Sequence, residues 1–225
     1  MGKYMRGKVL IAAVVNLVLI LISSVYAYDD HDFQVWNTAV EEIKINKSSK
    51  IALEEEFRFG DNADEFFYHH YDVGYAYDVN KYLTLGMNYR QVWEKKQSHG
   101  KFKEENRPHM NATLKYTLSG FQLDDRNRLE YRHFDYQEDA WRYRNKLNVK
   151  FPWKFTGLKI QPYVADEIFL NLNSIDLNRN RFYSGLSLVI FKDLKAEIYY
   201  LLQTSKSSGK WTDANVLGTK IKLLF

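Results

Sequence analysis

From residue 32 to the end of the chain, apolar and polar positions alternate with a period of two, in runs separated by polar connections. This is the pattern of β-strands with one apolar face. Phe67, His69, Tyr71, Val73, Tyr75 and Tyr77 share one parity, while Tyr68, His70, Asp72, Gly74, Ala76 and Asp78 share the other. The same alternation recurs through Leu83–Glu94, Asn111–Leu118, Trp141–Phe151, Arg181–Ile190, Leu194–Gln203 and Leu217–Phe225. In the run at 181–190, Leu186 and Leu188 fall on the apolar side and Arg181, with Arg179 before it, on the polar side. No sustained 3.6-residue period interrupts these runs. They number about eleven and are 11 to 15 residues long, against about 5 to 6 for a usual strand. A tilted strand that crosses a bilayer needs about 9 to 11 residues. The expected fold is therefore all-β, an antiparallel transmembrane β-barrel of about 10–12 strands.

Bacterial single-chain barrels have an even number of strands, so one of the eleven runs is expected to be irregular. The candidate is Asp32–Asn46, where Phe33 and Val35 lie on one parity and Trp36 and Val40 on the other. A bulge, a split or a segment outside the wall would each account for it. Glu55 and Asp166 fall mid-strand on the apolar parity, which implies a phase-shifting bulge or a rim position. Short connections at 47–49, 78–81, 119–120 and 192–193 alternate with longer ones at 95–107, 135–138, 172–178 and 205–211. A barrel with short periplasmic turns and long outer loops shows that asymmetry.

The first 27 residues read differently. Met1–Lys8 is short and basic, Val9–Ile22 is strongly apolar, and Val25-Tyr26-Ala27 precedes the polar run Tyr28-Asp29-Asp30. That is the order of a secretory signal peptide, and 14 apolar residues fall short of the roughly 20 of a spanning helix. Cleavage after Ala27 would leave 28–225 as a single barrel domain, exported to the bacterial outer membrane. The chain has 32 basic and 28 acidic residues; Lys3, Arg6 and Lys8 leave with the leader, so the mature balance is 29 − 28 = +1. The basic character is thus mostly a targeting signal, and no nucleic-acid partner is expected. With no Cys, disulfides, thiolate metal sites, a cysteine nucleophile and lipid attachment through cysteine are all excluded.

Chemistry concentrates on the polar parity. It carries nine arginines, Arg58, Arg90, Arg126, Arg128, Arg132, Arg142, Arg144, Arg179 and Arg181, together with Lys115, Lys146, Lys150, Lys159, Lys195, Lys220 and Lys222. The acids there are Glu54, Glu56, Asp72, Glu94, Asp124, Glu130, Glu167 and Glu197, an excess of eight positive charges. Confined like charges repel unless paired. The interleaving in Glu56-x-Arg58 and Arg126-x-Arg128-x-Glu130-x-Arg132 suggests a salt-bridged network that fills the barrel. The competing reading is an arginine-lined path that favours a small anionic solute. Aromatic residues at run ends, Tyr75, Tyr77, Tyr82, Trp93, Phe121, Phe134, Trp141, Phe151 and Trp153, suggest interfacial girdles on the outer face.

No phosphate-binding loop, dinucleotide fingerprint, nucleophile elbow or His-Glu-x-x-His is present. His70 with Asp72 and His133 with Asp135 could each form an imidazole–carboxylate hydrogen bond, but no His-x-Ser pair supplies a nucleophile beside the base. His69 and His70 point to opposite faces of a strand and cannot share a metal. No catalytic residues, cofactor or metal are expected.

The last strand, with Leu217, Thr219, Ile221, Leu223 and a terminal Phe225, resembles the C-terminal signature of outer-membrane barrels. There the final aromatic is read by the barrel-assembly machinery. More narrowly, Trp36, Glu56-x-Arg58, Arg126-x-Arg128-Leu129-Glu130-x-Arg132, Arg142-x-Arg144, Glu167 and Asn178-Arg179-Asn180-Arg181 resemble the barrel family called domain of unknown function 2490. That family has no assigned activity, so the resemblance implies fold and location without chemistry. The leading expectation is a monomeric, non-enzymatic outer-membrane barrel in contact with membrane lipid, either structural or a narrow pore. The alternatives are an outer-membrane lipid-modifying hydrolase or acyltransferase, with a Ser or Asp brought to His133 or His70, and a secreted soluble β-protein.

Overall fold

The computed structural model describes residues 30–96, 99–207 and 209–225. The leader expected over 1–27, with its cleavage site, lies outside the described residues. Eleven strands follow in order: β1 Asp32–Lys44, β2 Ser49–Gly60, β3 Glu65–Asp78, β4 Leu83–Lys95, β5 Phe102–Leu118, β6 Phe121–Phe134, β7 Ala140–Lys150, β8 Gln161–Asn171, β9 Asp176–Phe191, β10 Leu194–Ser207 and β11 Lys210–Leu224. Each pairs with its sequence neighbour in an antiparallel meander, and β1 closes the barrel on β11.

That closure corrects the expectation of a wholly antiparallel wall with an even strand number. In an up-and-down meander an odd count brings the first and last strands together pointing the same way. β1 and β11 are parallel over an unbroken register from Asp32↔Ala214 to Glu42↔Leu224. The suspected irregular strand is regular: β1 pairs without a break with β11 on one side and with β2 on the other. Its mixed composition arises because Trp36 is an inward-facing residue, only 2% exposed.

Two ends result. One carries the start of β1, the connections at 61–64, 135–139 and 172–175, the end of β4 and the end of β10; the other carries 45–48, 79–82, 119–120, 151–160, 192–193 and the C-terminus. The expected short-and-long asymmetry does not hold. The strands run further into the loops than alternation suggested, and the longest of these connections, 151–160, lies at the end of the short turns.

The wall is inside-out relative to a soluble core. Leu53, Val73, Leu85, Met87, Leu114, Leu186, Ile198 and Leu217 are exposed on the outer face, whereas Glu56, Arg58, Arg90, Glu130, Arg142, Arg144, Glu167 and Arg181 are buried within. Glu55 stays on the outer face with no register break around it, among Ala39, Leu53, Tyr71 and Leu223. Asp166 also stays outside, where it accepts from Asn180 at 3.0 Å. Neither needs a bulge. The bulges occur instead at Arg58/Phe59, Phe169/Leu170 and Leu194/Lys195. Aromatic side chains ring both ends: Tyr75, Tyr77, Tyr82 and Trp153 at one, Trp141 and Trp211 at the other, all exposed. Phe134 is the exception among those expected outside. It points inward and is buried, with the Arg132 guanidinium 4.6 Å from its ring centre.

Candidate functional site: the charged interior

The strands deliver one inward side chain every second residue, so each charged run in the sequence becomes a column along the inner wall. The columns interlock across strands. Glu130 on β6 is fully buried and accepts from Arg142 Nε at 2.6 Å and Arg144 Nη1 at 2.8 Å. Arg128 lies 3.5 Å away. Glu167 on β8 takes Arg144 Nη2 at 2.7 Å, Arg126 Nη2 at 3.1 Å and the Tyr183 hydroxyl at 3.0 Å, with Arg181 at 3.8 Å. Arg144 therefore bridges the two acids and joins three strands.

Around this centre, Glu56 accepts from Arg58 Nε at 2.7 Å and from the Thr38 hydroxyl at 3.0 Å. Arg90 spans Asp72 at 2.7 Å and Glu54 at 2.9 Å. Charge-assisted pairs of this length are the strong class of hydrogen bond. They satisfy buried ions that would otherwise be costly.

The opposite wall is aromatic. Trp36, Tyr163, Tyr183, Tyr199, Leu201 and Val216 form one buried cluster. The guanidiniums lean on it: Arg58 sits 3.6 Å from the Trp36 ring centre and Arg181 4.7 Å. Phe169 has Arg142, Arg144, Arg179 and Arg181 within 4.5 to 5.6 Å of its centre. Ring faces carry negative potential and partly offset crowded cations. The belt lies between two cavities, of about 550 Å³ and 160 Å³, and Arg58, Arg90, Arg144 and Arg181 line both.

A family model described as Protein of unknown function (DUF2490) matches residues 33–214. The chain belongs to that family. No curated protein matches it. The match spans β1 through the start of β11, and so covers the whole charged belt of this DUF2490 barrel.

Of the charged residues expected on the polar parity, the nine arginines with Glu56, Glu130 and Glu167 line the interior or its ion pairs. Arg179 is the least engaged; its Nε donates to Ser205 Oγ at 3.1 Å. Lys159 is not among them in space, because it lies exposed in the 151–160 connection. The sequence reading missed Glu105, Arg107 and His109, all buried on β5. The polar stretch 95–107 reads as a loop, whereas β5 begins at Phe102. Carrying the inward parity back from Asn111 would have found all three. Glu105 holds Arg107 at 2.6 and 2.8 Å and Arg132 at 2.8 and 2.9 Å.

The histidine pairs also differ. His70 is buried and bonds Tyr68 at 3.0 Å and Glu54 at 3.3 Å, in place of Asp72. Its neighbour His69 faces the other way and stacks on Trp93 at 4.7 Å. At the rim, His133 bonds Asp139 at 3.0 Å, in place of Asp135, and the Tyr131 hydroxyl donates to the same carboxylate. Hydrogen bonds from Tyr131 and then His133 pull the Asp139 carboxyl down to about 2. Among the described residues no serine hydroxyl bonds His70 or His133. The one grouping of three metal-capable side chains there, Asp30, His31 and Asp213, lies at the rim, outside the interior.

Proposed function

We propose that this chain is a non-enzymatic outer-membrane barrel, structural in role, whose interior is closed by its own ion pairs. The inverted distribution of side chains supports the location. Exposed Leu, Ile, Val and Met over most of the outer face, with arginines and glutamates buried inside, match a wall facing hydrocarbon. The buried bridge Arg142–Glu130–Arg144–Glu167 is the observation that carries closure. It sets paired ions between the two cavities of the interior, and closure rests on that placement.

Two measurements on the purified barrel test this. The parent should show little conductance in a planar bilayer. Glu130→Ala strands Arg142 without its carboxylate and leaves Arg144 with Glu167 alone, a loss of about 3 to 5 kcal/mol for a buried pair broken on one side. Steady anion-selective conductance in the parent, with Glu130→Ala equally stable, would make the interior a wet pore. Recovery of the mature chain as a soluble periplasmic monomer would overturn the membrane assignment.

A further inference from the structure

The smaller cavity, about 160 Å³, lies on the side of the belt nearer the 135–139 connection, and Gln137 from that connection and Lys96 from just beyond β4 reach its lining. Eight arginines and Lys96 line it, against a single carboxylate, Glu94. Most of these guanidiniums pair with belt carboxylates that do not themselves line the cavity, and Lys96 pairs with Glu94, but each pairing uses only part of the donor fork. Arg107 and Arg132 both spend Nε and Nη2 on Glu105, and Arg142 spends the same edge on Glu130. Among the described residues this leaves the Nη1 donors of these three without a carboxylate acceptor. Arg179 has no carboxylate within ion-pair distance among the described residues; it has the Ser205 hydroxyl and the Phe169 ring.

Four guanidiniums around one phenyl ring repel one another, and a ring face offsets only part of that repulsion. The chemistry that completes such a lining is a compact, multiply charged oxyanion. Each guanidinium offers paired N–H donors in a planar fork that fits the oxygens of a phosphoryl group. We propose that this cavity is a binding site for phosphate or a small phosphoryl group. It goes beyond the structural role above and is independent of membrane insertion and closure, because it can be measured on detergent-solubilised barrel whether or not the barrel conducts.

The test is calorimetric titration with inorganic phosphate and, in a second arm, with glycerol phosphate as a soluble phosphomonoester. Phosphate should bind the parent, weaken as sodium chloride is raised, and raise its thermal midpoint. Tighter binding of the ester would make a phosphorylated headgroup or sugar the source of the group; tighter binding of phosphate would make it the free ion. Arg179→Gln removes a cation without stranding a described carboxylate, so the variant should fold, lose about tenfold in affinity for either ligand and lose most of the thermal shift. Lys150→Gln alters only the larger cavity and should leave affinity unchanged. Failure of both ligands to bind the folded parent overturns the proposal. So does an unchanged affinity in Arg179→Gln, or a loss confined to Lys150→Gln.

Discussion

At the scale of single residues, the interior is decided by what each inward position has room for. Gly218 on β11 shows the constraint: a Cβ there would stand 2.1 Å from the Tyr199 ring. Tyr199 occupies that space and packs against Tyr183, with ring centres 5.6 Å apart. Gly218→Ala should push the ring off its seat and cost about 1 to 3 kcal/mol of stability as overpacking, measured as a lower denaturant midpoint in detergent. No change would mean that the aromatic wall is loosely packed. A second residue-scale prediction follows from Asp139 in the 135–139 connection. Its carboxyl is depressed to about 2 in the folded chain by Tyr131 and His133, against about 3.9 for a free aspartate. A depressed acid contributes stability above its unfolded value and loses it as pH falls through the folded one. The Tyr131–Asp139–His133 clamp should therefore give its full stabilisation above about pH 4, lose it progressively below that, and release with a midpoint near about pH 2. Tyr131 packs on Trp141, with centres 5.1 Å apart. Tryptophan fluorescence should report the release in the parent and show no such step in Asp139→Asn.

At the scale of strands, alternation alone located most of the wall, because a period of two assigns a face to every residue without knowledge of its partner. The inward columns on β6, β7 and β9 were legible for that reason: Arg126 to Arg132, Arg142 with Arg144, and Arg179 with Arg181 repeat charge at every second position. Ends of strands were not legible. β5 opens with Phe102-Lys103-Glu104-Glu105-Asn106-Arg107, whose polarity looks like a loop, yet the inward Glu105 and Arg107 are satisfied by each other and by Arg132 on β6. Polar residues there are compatible with a strand because the interior is itself polar. Partner choice was also hidden. Parity places His70 inside, but its acid is the diagonal Glu54 and not Glu56, which the register sets opposite it, while Arg90 takes Asp72 directly across. The outer face gives a strand-scale prediction. Leu217 lies at the middle of β11, exposed beside Val35 and Tyr200. If the wall faces hydrocarbon, Leu217→Arg should cost about 2 to 4 kcal/mol in lipid vesicles, while Leu217→Phe stays near parent stability. Equal tolerance of arginine and phenylalanine would mean that the face meets water.

At the scale of the whole molecule, the odd strand number fixes where the chain starts and stops. Each strand reverses direction, so after eleven of them the chain leaves from the end opposite to where it entered. Asp30 lies at the end that carries the 172–175 connection, and Phe225 at the end that carries the 192–193 turn. Phe225 is still tied to the first strand: its N–H donates to the Glu42 carbonyl and its carbonyl accepts from Lys44. Parallel pairing of β1 with β11 is the only closure such a meander allows, and it separates this barrel from even-stranded ones, whose termini share an end. If Phe225 is the aromatic read during assembly from the periplasm, its end is periplasmic and Asp30 lies at the cell surface. The absence of native cysteine makes this measurable with single-cysteine variants and a membrane-impermeant maleimide on intact cells. Asp30→Cys and Ile175→Cys should label together without lysis. Lys47→Cys and Lys192→Cys, from the opposite end, should label only after the outer membrane is opened. Labelling of Asp30→Cys with the Lys47 and Lys192 variants would require an even number of wall strands and would break the β1–β11 register. Labelling of all four alike would instead mean that no membrane separates the two ends.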